Sequence, residues 1–91
     1  MLEKKVTDSD IQELYKTLLK METVDDAKEL FSDLCTNKEI EQMAGRIKAA
    51  RLLMEGKTYN QVIAETEISS ATLSRVSRCV QYGNGYNKFV K

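Results

Sequence analysis

An all-α fold is the expectation for this chain, and three observations predict it. Proline is absent and glycine occurs only at positions 45, 56, 83 and 85, so few residues interrupt a helix. Apolar residues recur at three- and four-residue spacing along most of the 91 residues, as they do on one side of a helix. Threonine or serine stands ahead of each of these stripes, where a side-chain oxygen can satisfy the open amides of a first helical turn.

Taken in order, Thr7 to Asp10 offer caps for a first helix, with Ile11, Leu14, Tyr15 and Leu18 on one face. Thr23 caps a second, with Val24, Ala27, Leu30, Phe31 and Leu34 inward. Thr36-Asn37-Lys38-Glu39 has the form of a capping box, so a third helix starts there. Its stripe is Ile40, Met43, Ala44, Ile47, Ala50 and Leu53 or Met54, and Gly56 is a natural stop. At about 19 residues it is the longest of the set. Thr58 caps a fourth helix and Ser69 a fifth, and the tail "YGNGYNKFVK" is either one more short helical turn or loose. No repeat or linker divides the chain, so residues 1–91 read as a single domain. Within it, 1–35 would form dimerisation helices, 36–56 the central helix, 58–81 a paired-helix motif and 82–91 a tail.

Composition narrows the function classes. The apolar fraction of 42% and charged fraction of 31% suit a folded domain. A chain this short buries only roughly 60–65% of its unfolded surface, so self-association would add welcome burial. No apolar run approaches the roughly 20 residues that span a membrane, and no signal peptide is expected. Cys35 and Cys79 lack CxxC or metal-ligand spacing and read as reduced thiols of a cytoplasmic protein. Histidine is absent, which removes the commonest general base. Gly83 and Gly85 lack the strand-loop-helix setting of a phosphate loop, and Asp25-Asp26 suit a helix start. No enzyme, metal or cofactor is therefore expected.

The net charge of zero hides a split. Residues 1–45 hold six Lys/Arg against eleven Asp/Glu, whereas residues 46–91 hold eight against three. A polyanion would prefer the second half. The alternative is an acidic half that neutralises a basic half across a dimer contact.

"TYNQVIAETEISSATLSRV", residues 58–76, lies in that basic half and reads as a helix-turn-helix. Val62 would be buried in the first helix, and Leu73, Val76 and Val80 in the second. That leaves Ser70, Ala71, Thr72, Ser74, Arg75 and Arg78 outside or at the rim, with Ser69 at the cap. Small polar residues at a helix start let the backbone approach base edges, and their hydroxyl and methyl groups can contact them. The first amides of such a helix also favour a phosphate oxygen. Lys57, Arg46, Lys48 and Arg78 are candidate phosphate partners, and Thr58 and Asn60 at the start of the first helix join the candidate DNA-binding set. Each piece has a plainer reading: Ser69 as a cap only, the cations as a solvated face. Glu67 stands where such turns often hold glycine in the left-handed region, and Ile63 where a small side chain is common. Both suggest an opened or reshaped turn.

"LFSDLCTNKEIEQMAGRIKAARLLMEGKTYNQVIAETEISSATLSRVSRCVQYGNGY" resembles the Trp-repressor superfamily, in its YerC-type branch, with "GKTY…SATLSRV…YGNGY" its most specific part. The resemblance implies an intertwined homodimer that binds double-stranded DNA, with reading heads about 34 Å apart. The acidic N-terminal helices would then dimerise; otherwise they are core helices of a monomer. The resemblance also implies an effector pocket: Thr36, Arg46 and Arg75 match the family's threonine and its two indole-sandwiching arginines. Val76 stands in place of a glycine and Cys79 in place of a serine, which disfavours tryptophan and leaves another small effector, or none. Arg46 and Arg75 read equally as ion-pair or phosphate partners. The connection after Gly56 is about one residue shorter, and Asn60 and Ile63 replace basic positions of the reading head. The resulting expectation is a homodimeric transcriptional regulator, a repressor by resemblance; the alternative is a helical protein-interaction module that keeps the fold without reading DNA.

Overall fold

The computed structural model describes residues 5–90, so expectations for residues 1–4 and for Lys91 lie outside it. Six helices follow one another: α1 (Asp8–Leu18), α2 (Val24–Leu34), α3 (Asn37–Met54), α4 (Tyr59–Thr66), α5 (Ser70–Tyr82) and α6 (Gly85–Phe89). They group into two compact units that divide between Thr36 and Asn37.

The starts of α1, α2 and α4 are written into the sequence as reciprocal caps. In α1 the Asp10 amide donates to Thr7 Oγ1 at 3.3 Å, and the Thr7 amide donates back to Asp10 Oδ2 at 2.9 Å. Thr23 with Asp26, and Thr58 with Gln61, repeat the arrangement. Each pair satisfies two amides that no intrahelical carbonyl can reach. Gly56 ends α3 at φ +90°, with its amide donating to the Leu53 carbonyl and the Lys57 amide donating to the Leu52 carbonyl. This crossed pair is a Schellman ending, and a left-handed residue at its centre favours glycine.

In the N-terminal unit, Leu14 of α1 and Leu30 and Leu34 of α2 share one shallow groove. The helical stripes are present, but neither helix has a buried residue. Ala27, Leu30, Phe31 and Leu18 are half-buried, whereas Ile11, Leu14, Tyr15, Val24 and Leu34 are exposed. Of the positions expected inward, these five are not covered within the chain.

The C-terminal unit has a true core: Ala49, Ala50 and Leu52 of α3, Val62 of α4, and Leu73 and Val76 of α5. Leu53, Ile63, Ile68, Val80 and Tyr86 pack around it. The face of α3 that meets this core differs in part from the expected stripe. Ala50 and Leu53 are inward as expected, but Ala44 and Ile47 are exposed, and Ala49 and Leu52 take their place. The physical reason is that α3 is apolar on two sides. Ile40, Ala44, Ile47 and Met54 recur at helical spacing on one side, while Ala49, Leu52 and Leu53 lie across the axis from them. Periodicity shows that a face is apolar and not which neighbour covers it.

Candidate nucleic-acid interface

α4, the turn and α5 form a helix-turn-helix whose second helix presents a polar, small-residue face. Ser69 caps α5: its Oγ accepts from the Thr72 amide at 3.1 Å and donates to Thr72 Oγ1 at 2.9 Å. The cap thereby orders the Thr72 hydroxyl at the head of the helix. Burial of Leu73, Val76 and Ser77 fixes the rotation of α5 about its axis. Ser70, Ala71, Ser74, Arg75 and Arg78 consequently lie on one exposed face, with Thr72 half-buried at its edge. Lys57, Thr58 and Asn60 are exposed at the start of α4. All ten sequence-predicted contact positions are therefore in this unit and reachable by solvent.

The turn keeps its tight form. Glu67 adopts φ 59° and ψ 18°, the left-handed well, and its amide donates to the Ile63 carbonyl at 2.8 Å. The expected opening does not occur, because an ordinary residue reaches this well at a cost of about 1–2 kcal/mol. The surrounding bonds hold it there: Thr66 Oγ1 donates to the Val62 carbonyl at 2.7 Å, and Ile68 seats against the core. Ile63 is half-buried and joins the core edge, so its bulk is absorbed by packing.

Two grooves flank α5. One, about 430 Å³, brings together Arg46, Thr72, Arg75, Val76, Cys79 and Tyr86. Four of the five residues expected around an effector thus share a groove. Thr36 closes the N-terminal unit and is not among the lining residues. Val76 is 1% exposed, so it serves mainly as core beneath the groove. The other groove, about 490 Å³, runs between the first half of α3 and the turn, with Lys38, Gly45, Arg46, Ile68 and Ser69 among its walls.

Tyr86 is the site residue that sequence reasoning did not single out. It reaches the core and the first groove from α6, which is fastened by Asn87: its Nδ2 donates to the carbonyls of Val80, at 2.7 Å, and Gly83, at 3.2 Å. Gly83 permits the bend, since a Cβ there would stand 2.7 Å from the Cys79 carbonyl oxygen. An aromatic flanked by a glycine and an amide side chain just past a helix end was the available signal.

The family model for the Trp repressor protein matches residues 9–91. The chain belongs to the Trp repressor family. Within it, the uncharacterized protein YerC of Bacillus subtilis (strain 168) is 40% identical over 80 residues, covering 88% of this chain and 77% of YerC. A TrpR-like protein from Eubacterium eligens ATCC 27750 superposes with a TM-score of 0.81 at 36% identity, covering 90% of this chain and 84% of its own. A protein provisionally assigned as a Trp repressor from Staphylococcus aureus gives 0.82 at 34% identity, covering 91% and 84%. The all-helical Trp-repressor-like fold of the family is thus this chain's fold. No helix among the described residues is long and apolar enough to cross a membrane.

Proposed function

We propose that this Trp-repressor-family chain is a sequence-specific, double-stranded-DNA-binding transcriptional regulator of the repressor type, which acts as a homodimer in the cytoplasm. The supporting observation is the exposed face of α5: Ser70, Ala71 and Ser74 leave its first turns slim enough to enter a major groove, and Arg75 and Arg78 add charge along the same side. Lys57, Thr58 and Asn60 at the start of α4 supply backbone contacts, which position the protein without reading sequence. The excess of Lys/Arg over Asp/Glu after residue 45 favours the approach of a polyanion to this half. Catalysis has no part in this reading.

The dimer rests on a different feature. Ile11, Leu14 and Tyr15 of α1, and Val24 and Leu34 of α2, are exposed, and Ile47 of α3 is 46% exposed. A second copy would cover such surface and place two reading helices about one DNA turn apart. Arg46, Arg75 and Cys79 around their groove would admit a small effector, with tryptophan disfavoured by Val76 and Cys79.

The deciding experiment is selection of bound sequences from random duplex DNA at controlled salt. Two related half-sites about one turn apart are expected, and Thr72→Glu should abolish that enrichment while leaving a folded protein. Unaltered affinity in folded Thr72→Glu would reject the reading face. Binding without enrichment that vanishes as salt rises would reduce the interaction to phosphate attraction and favour the protein-interaction reading.

A further inference from the structure

We propose that Lys48 is a positioning residue that pins the helix-turn-helix turn to α3, and is not the phosphate contact that its charge alone suggests. The end of a helix leaves carbonyls without intrahelical donors and carries partial negative charge. The last turn of α4 has no basic residue of its own to answer it. Two nearby carbonyls are served locally, Val62 by the Thr66 hydroxyl and Ile63 by the Glu67 amide. The Glu65 carbonyl is served from another helix: Lys48 Nζ donates to it at 3.3 Å across 17 residues of sequence. A cation from α3 thus supplies both the missing donor and the missing positive charge.

Three residues before Lys48, Gly45 leaves room on α3 for the other side of the turn. A Cβ there would lie 3.4 Å from Ile68 Cγ2, so Ile68 seats directly over the bare position. Residues three apart lie on neighbouring parts of one helical face. α3 therefore holds the chain just before Glu67, through Lys48, and just after it, through Ile68 over Gly45. Between these points lies the one positive-φ residue other than glycine among the described residues. A left-handed glutamate persists when its surroundings over-determine it. Lys48 is part of that constraint, and through it α3 sets the angle at which α5 leaves the turn.

The test uses Lys48→Met, which keeps the stem and removes the charge, and Lys48→Arg, which keeps a donor. In the free protein, amide hydrogen exchange at Glu67 and Ile68 should accelerate several-fold in Lys48→Met, stay near wild type in Lys48→Arg, and remain unchanged at Leu73 in both. Unchanged exchange at Glu67 and Ile68 in Lys48→Met would overturn the proposal. The second readout rests on the DNA-reading function proposed above: specific affinity should fall in Lys48→Met with an unaltered slope of log affinity against log salt. A phosphate contact would instead flatten that slope by about 0.9, and such flattening would also overturn the assignment. If the wild-type protein binds no DNA, the functional reading fails, while the exchange experiment still decides the role of Lys48.

Discussion

The α1–α2 unit and the α3–α6 unit use the same capped helices, yet they are stabilised differently. In the first, Thr7–Asp10 and Thr23–Asp26 close their capping boxes and no helical residue is buried. In the second, Val62 and Leu73 are wholly enclosed and the helices converge on one core. Capping bonds of about 1 kcal/mol each can define where a helix begins, but a short helix still depends on packing of its apolar face. The difference teaches that the first unit carries the pattern of a core without its closure, whereas the second holds its reading helix in place by itself.

The largest expected effect is in the closed core. Leu73→Ala should cost about 2–5 kcal/mol, seen as a lowered midpoint in chemical denaturation, because the side chain is 0% exposed. A loss well below this range would mean that α5 is not fixed by the core described here. The corresponding change in the open unit, Leu14→Ala, sharpens the contrast. If a second copy covers Leu14, the change forfeits part of the roughly 1.5–3 kcal/mol that burial of a leucine contributes, and only at concentrations where dimer forms. Sedimentation and denaturation at two protein concentrations check this; a small, concentration-independent effect would count against α1 in the dimer contact.

Glu67 offers a smaller effect of opposite sign. Glycine would relieve the left-handed cost of about 1–2 kcal/mol and give back roughly half to one through unfolded-state entropy. Glu67→Gly should therefore raise stability by about 0.5–1 kcal/mol in thermal or denaturant melts. A destabilised Glu67→Gly would show that the glutamate side chain makes a contribution larger than its backbone cost.

The same contrast explains what could be read before the structure. The caps at Thr7, Thr23, Thr58 and Ser69 were legible because they depend on residues three apart. The inward set of α5 was legible because it has one apolar face. α3 was not, since two apolar faces give the same period from either side. The left-handed Glu67 was visible as an anomaly, but its outcome depends on Ile68 and Lys48, which meet α3 from distant sequence. Tyr86 escaped because five residues of α6 carry too little periodicity to reveal a face, and its placement depends on Asn87 reaching back to Val80. In the candidate interface the residue types were readable, whereas the rotation that exposes Ser70, Ser74 and Arg78 together is set by packing.

The smallest effect belongs to the open unit's caps and follows from their charge. Asp10 is held below the ordinary aspartate value of 3.8, chiefly by the Thr7 amide and then by the Thr7 hydroxyl. Asp26 is likewise lowered, chiefly by the Glu22 amide, which donates to its Oδ2 at 3.0 Å. A carboxyl whose folded value lies below its unfolded value stabilises fully above the unfolded value and loses that contribution as pH falls through the folded one. Acidification from about pH 5 through the usual aspartate range should therefore fray the starts of α1 and α2 first. α4 and α5 should remain, since Gln61 and Ser69 cap them without a titrating group. Amide exchange followed at Asp10 and Asp26, against Gln61 and Thr72, measures the order. Simultaneous loss at all four positions would mean that the two units share one cooperative transition and that the caps do not set the acid limit of the first. Asp10→Asn and Asp26→Asn should make α1 and α2 insensitive in the same window, at the cost of weaker caps throughout.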